Sequence, residues 1–149
     1  SPVIAQDKEL PKHPSLSLYE RFSGNTVTGY NTSGVKFTEF HSPDGRIFGY
    51  NSGEPAIDAC WRTSGPDVVC YYYGTGVITG EFCWRLDPMD ANGYRLTATD
   101  GSGSTGLFRR ENGNPYDFND HGRHWTCDAL MSSAPVRRVL IARFKDPIR

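Results

Sequence analysis

Residues 68–86 read VVCYYYGTGVITGEFCWRL. Two runs dense in aromatic and β-branched residues, 68–73 and 81–86, flank a glycine-punctuated connection, and each run carries one cysteine. Such runs suit a pleated, half-buried surface and predict two neighbouring antiparallel strands. Because side chains alternate across a strand, parity separates Val69, Tyr71 and Tyr73 from Val68, Cys70 and Tyr72. It likewise separates Phe82, Trp84 and Leu86 from Glu81, Cys83 and Arg85, and around Cys60 it sets Trp61 and Ala59 against Asp58, Cys60 and Arg62. One face is aromatic; the other carries cysteine and charge.

Working outward, turn signals recur about every ten residues: NTSG at 31–34, SPDG at 42–45, NSGEP at 51–55, TSGPD at 63–67, GTG at 74–76, DANG at 90–93, DGSGSTG at 100–106 and ENGN at 111–114. Between them lie TVTGY, VKFTEF, RIFGY, ACWR, VVCYYY, EFCWRL, YRLTAT and TGLFRR. Short strands at this spacing make an antiparallel meander, and about eight of them are enough to close a small lipocalin-like barrel, which removes exposed sheet edges. A two-sheet sandwich uses the same pattern. Ser17-Leu18-Tyr19-Glu20 has the form of a capping box, with Gly24 placed to end a helix of about two turns after Phe22. Residues 1–14, with three prolines, read as an extended N-terminal arm, and residues 15–149 as a single disulfide-stapled β-barrel domain. The tail VRRVLIARFK at 136–145 fits a helix face through Val136, Val139, Leu140 and Phe144, while its β-branched content favours a strand.

The four cysteines, Cys60, Cys70, Cys83 and Cys127, contain no C-x-x-C pair, which argues against a zinc ribbon or a thioredoxin-like motif. An even number inside strand sequence fits two structural disulfides and an oxidising compartment, periplasmic or secreted. Cys60 and Cys70 are symmetric about one turn, Cys70 and Cys83 about the next, so adjacent strands bring either pair within bridging distance. The favoured set is Cys70 with Cys83 and Cys60 with Cys127; Cys60 with Cys70 and Cys83 with Cys127 is the alternative.

The order of a short L-Y-x-x-F-S-G-N-T helix, a strand, a P-D-G hairpin, and then Trp, Cys and Cys in successive strands spans Leu18 to Leu86. In this order the chain resembles small exported bacterial proteins grouped as domain of unknown function 995. The resemblance implies an exported β-domain and no particular activity.

A net charge of −1 supplies no global field for nucleic acid or an anionic membrane, and no apolar run is long enough to cross a bilayer. The first residues, SPVIAQDKELPKHPS, lack the layout of a signal peptide, so an exported chain would be in its mature form here. In DFNDHGRHWTCD, residues 117–128, His121 and His124 with Asp117 or Asp120 could offer metal ligands, but the glycine- and proline-rich surroundings read as a solvated loop, and neither a metal nor another cofactor is expected. The loops at 87–93 and 100–106 read as turn formers rather than cation or phosphate sites. Glu39 and His41 share a strand face and could form an acid–base pair; an exposed polar face explains them equally. No G-x-S-x-G elbow is present.

These residues favour non-catalytic binding over catalysis. The candidate ligand-binding set is the aromatic face, Trp61, Tyr71, Tyr73, Phe82 and Trp84, which would line a pocket for a flat or apolar ligand or else fill the core. If Asp58, Arg62, Glu81 and Arg85 faced inward instead, the ligand would be charged; parity does not choose. The other class of role is a protein-interaction or inhibitor module using its long loops, with an apolar patch at Tyr116, Phe118 and Trp125. A small barrel enzyme is the third, and it would need buried carboxylates or histidines with displaced pKa values.

Overall fold

The structure, a computed structural model, describes residues 17–75 and 79–122. Eight strands, β1 (Asn25–Asn31), β2 (Lys36–His41), β3 (Arg46–Asn51), β5 (Ala59–Ser64), β6 (Val68–Tyr73), β7 (Gly80–Pro88), β8 (Gly93–Ala98) and β9 (Thr105–Glu111), each pair with the next. The first and last also pair with each other, so the antiparallel sheet closes into an up-and-down barrel. These strands coincide with the eight expected segments. The addition is β4, the two-residue Glu54–Pro55, which the sequence reading places inside a turn and which folds back onto Tyr50 and Asn51 of β3. The arm at 1–14 and the ambiguous tail at 136–145 lie outside the described residues.

Closure decides which face is inside. Register places Trp61 opposite Tyr71 and Tyr71 opposite Phe82, with Val69 opposite Trp84. Trp61, Val69, Tyr71, Tyr73, Leu86, Tyr94, Leu96 and Phe108 are buried in one core. The aromatic face is therefore the inner one, and the charged reading of the interior is corrected: Arg62 and Glu81 pair with each other at 3.1 Å and Arg85 reaches Asp67 at 3.6 Å, on the outer surface. Asp58 departs from both readings, being buried just ahead of β5 with φ 59°.

Tight curvature needs missing side chains. A Cβ on Gly29 would fall on the Leu107 carbonyl oxygen of β9, and one on Gly49, where φ is +133°, on the Thr38 carbonyl oxygen of β2. Glycine at such inner positions lets neighbouring backbones approach where the sheet bends.

One barrel end is closed by the helix α1 (Leu18–Phe22). Ser17 caps it: its hydroxyl oxygen accepts from the Glu20 amide, and the Glu20 carboxylate accepts from the Ser17 amide at 2.9 Å. The helix has five residues, shorter than the two turns expected, because Ser23 and Gly24 turn the chain directly into β1. Phe22, fully buried, enters the barrel against His41, Tyr94 and Phe108 with ring centroids 5.5–5.7 Å away. Burying a phenylalanine in this way contributes about 1.5–3 kcal/mol. Tyr19 stacks on Trp61 at 5.3 Å, and Arg21 donates to the Tyr94 hydroxyl at 2.6 Å.

Cys70 and Cys83 stand directly opposite each other on β6 and β7, with Cα atoms 4.0 Å apart, and are joined by a disulfide. The alternative that joins Cys70 to Cys60 is thereby excluded. Cys60 is also disulfide-bonded, and Cys127 lies outside the described residues.

Candidate functional site

At the barrel end opposite α1 the packing loosens into a cavity of about 400 Å³. Its wall is aromatic and aliphatic: Phe37, Tyr71, Tyr73, Phe82, Trp84, Leu96 and Phe108. The rim is formed by Ser33 and Val35 between β1 and β2, and by Asp100, Ser102 and Ser104 between β8 and β9. Of the five aromatics singled out from the sequence, Tyr71, Tyr73, Phe82 and Trp84 line the cavity. Trp61 does not: it is buried at the closed end, donates its indole N–H to the Ser42 carbonyl at 2.9 Å and packs under Tyr19. All five share an inner face, but position along the barrel axis separates packing from lining.

The inner end of the cavity is polar. Glu39 of β2 points inward, 1% exposed, and borders the cavity. The Tyr73 hydroxyl donates to Glu39 Oε2 at 2.8 Å, and Asn51 Nδ2 approaches the same oxygen at 3.3 Å and the Tyr73 hydroxyl at 3.1 Å. Oε1 receives no hydrogen bond among the described residues. Burial raises the Glu39 carboxyl from 4.5 to about 7, and the hydrogen bonds from Tyr73 and Asn51 only partly oppose it. One carboxyl is thus poised between its neutral and charged forms near neutral pH.

His41 is likewise internal, one alternation nearer the helix. Its Nε2 lies 2.7 Å from the Tyr71 hydroxyl, and its ring is edge-on to Trp61 at 5.0 Å. Burial lowers its pKa from 6.5 to about 3. Backbone of Glu39 and Asn25 near the ring opposes the fall, but Nδ1 has no partner in hydrogen-bond geometry among the described residues. The exposed-face explanation of Glu39 and His41 is corrected: both are buried in the barrel. They are not partners in one hydrogen bond; each is held by a different tyrosine of β6.

Elsewhere, the segment after β9 runs over the outer surface. The Gly113 amide donates to Asn25 Oδ1 at 2.8 Å, Asp120 pairs with Arg46 at 2.9 Å, and Phe118 packs on Tyr50. Tyr116 is half exposed beside Phe118, while Trp125 and His124 lie outside the described residues. His121 sits in a turn with φ 53°, exposed, and belongs to no ligand cluster among the described residues. The one grouping of ligand type among them, Cys70, Glu81 and Cys83, has both sulfurs committed to the disulfide.

Phe37, Asn51, Leu96 and Phe108 join the site without having been picked out beforehand. Parity on β2 places Phe37, Glu39 and His41 together, a signal present in the sequence; the contribution of β3, β8 and β9 depends on closure. No protein-family model matches the chain, and no curated relative is found.

Proposed function

We propose that this protein is an exported, non-catalytic binding protein that holds a small, flat, largely apolar ligand in its barrel. The observation that carries this reading is the cavity of about 400 Å³, within the size range of small-molecule sites, whose aromatic wall ends on a few convergent polar groups. Tyr71, Tyr73, Phe82 and Trp84 would hold the ligand body, and Glu39, Tyr73 and Asn51 its polar group. The Cys70–Cys83 bond and the oxidised Cys60 support an oxidising compartment, as does the resemblance to exported bacterial proteins. Among the described residues no helix is long and apolar enough to cross a membrane.

The test is titration with the neutral fluorophore N-phenyl-1-naphthylamine, before and after Ala98→Trp, which places an indole in the cavity wall. Saturable one-site binding to the native protein, lost in the variant, is the expected result. Absence of saturable binding, or binding unchanged by Ala98→Trp, overturns the reading.

A second reading rests on Glu39 alone. A carboxyl raised to about 7 beside an apolar cavity is also what proton abstraction from a bound substrate requires. It predicts a ligand that is recovered chemically altered, with loss of turnover in Glu39→Gln. Recovery of the ligand unchanged leaves the binding role.

A further inference from the structure

The reading of the barrel as a ligand holder leaves the chemical class of the ligand open, and the following step rests on that reading. We infer that the ligand carries a protonated amine on a flat apolar body, and that the amine is received at the inner end of the cavity by the Glu39 carboxylate.

Two independent features of the cavity converge on a cation. The first is the sign of its charges. Three carboxyl groups belong to lining residues, Glu39, Glu81 and Asp100, and none of the described lining residues is Lys, Arg or His. Glu81 is neutralised on the outer side by Arg62. Asp100 at the rim is held below the usual carboxylate range by hydrogen bonds from Ser102, so it stays charged. An anionic ligand would meet a carboxylate at the rim and a carboxyl at the inner end, with no cation among the described lining residues to offset either. The second feature is the wall. Tyr71, Tyr73, Phe82, Trp84, Phe37 and Phe108 supply six aromatic side chains to the wall, and aromatic rings attract a cation and stack on a flat body.

Glu39 has the free valence for this task. Both of its hydrogen bonds fall on Oε2, and Oε1 is left without one among the described residues. The groups facing it are Tyr71 and Tyr73 from β6, Asn51 from β3 and His41 on its own strand; His41 stays neutral above about pH 3, so it supplies no counter-charge. Arg110, which shares the inner parity on β9, is engaged by the Arg21 carbonyl and the Asn92 side chain near the closed end. An ammonium ion entering the cavity then completes the pair. Its N–H donates to the carboxylate, Glu39 is held ionised, and any proton it carried in the free protein passes to the buffer.

Three ligands sharing the indole ring decide the matter: tryptamine, tryptophol and indole-3-acetate, each competing against N-phenyl-1-naphthylamine on the full chain at pH 6. Tryptamine should bind on the order of tenfold to a hundredfold more tightly than tryptophol, the range expected of a hydrogen bond to a charged group, and indole-3-acetate most weakly. Calorimetry in two buffers of different ionisation enthalpy should show proton release on tryptamine binding, and none on tryptophol binding. Glu39→Gln should abolish both the preference and the proton release, so that tryptamine binds no better than tryptophol. Fluorophore binding with tryptamine no better than tryptophol overturns the amine inference and leaves the ligand-holding role standing. Loss of all binding overturns the holding role itself. The order of the three ligands on the unmodified protein decides the question even if Glu39→Gln fails to fold.

Discussion

Replacing Glu39 by Gln should change the way stability depends on pH, not merely its level. Burial raises the carboxyl from 4.5 to about 7. In the unfolded chain the group ionises near 4.5, whereas in the barrel it keeps its proton until about 7, so between those values the folded state binds more protons and stability falls as pH rises. At about 1.4 kcal/mol per pH unit, the loss accumulated by pH 7 is about 3 kcal/mol, with no further change above it. His41 acts in the opposite sense. Its pKa falls from 6.5 to about 3, so the unfolded state binds the extra proton in that interval and stability is lost as pH drops. From pH 4.5 to 6.5 the two slopes cancel, and the native protein should show a nearly flat profile there. Glu39→Gln keeps an acceptor for the Tyr73 hydroxyl but removes the falling slope, exposing the rise due to His41. Urea unfolding followed by far-ultraviolet circular dichroism, without reductant, at half-unit steps from pH 4 to 8 measures this directly. The variant should gain about 3 kcal/mol relative to the native protein between pH 4.5 and 7. Parallel profiles, offset by a constant, would refute the assignment of a buried, protonated carboxyl.

The remaining predictions use the same assay. His41→Gln should be stabilised relative to the native protein as pH falls from 6.5 towards 3, by up to about 5 kcal/mol, and its acid-unfolding midpoint should move to lower pH. Phe22→Ala, which empties the plug between His41, Tyr94 and Phe108, should cost about 3–5 kcal/mol at constant pH. Replacing Cys70 and Cys83 together by Ser opens a link between residues 13 apart in sequence and should cost about 3 kcal/mol, with the circular-dichroism spectrum of the folded state unchanged.

What the chain reveals of its fold is mostly local. Strand propensity and the turn residues between strands act over a few positions, so the eight barrel strands and the Ser17 capping box are visible before any contact is known. β4 is not, because two residues pairing with Tyr50 and Asn51 have no period of their own. Trp61 shows a second limit. Parity correctly groups it with Tyr71 and Phe82, but whether an inward ring packs or lines depends on its height along the barrel relative to the helix. That height is set by the register of all eight strands together.

The polar pair at the site illustrates the deepest gap between pattern and structure. On β2 the alternation Phe37, Glu39, His41 is plain, yet a strand with a carboxyl and an imidazole on one face reads most simply as a solvated face. Closure reverses this, because the opposite alternative would put Thr38 and Phe40 inside and break the register with Val27 and Gly49. The price of that inversion is a protonated carboxyl and a neutral imidazole in an aromatic interior. Between pH 4.5 and 7 the displaced titration of Glu39 lowers the stability of the fold by about 3 kcal/mol. Tyr73 and Asn51 donate to one of its oxygens, and the other receives no hydrogen bond among the described residues. Because Glu39 also borders the cavity, that cost falls where the proposed ligand would find an unused acceptor.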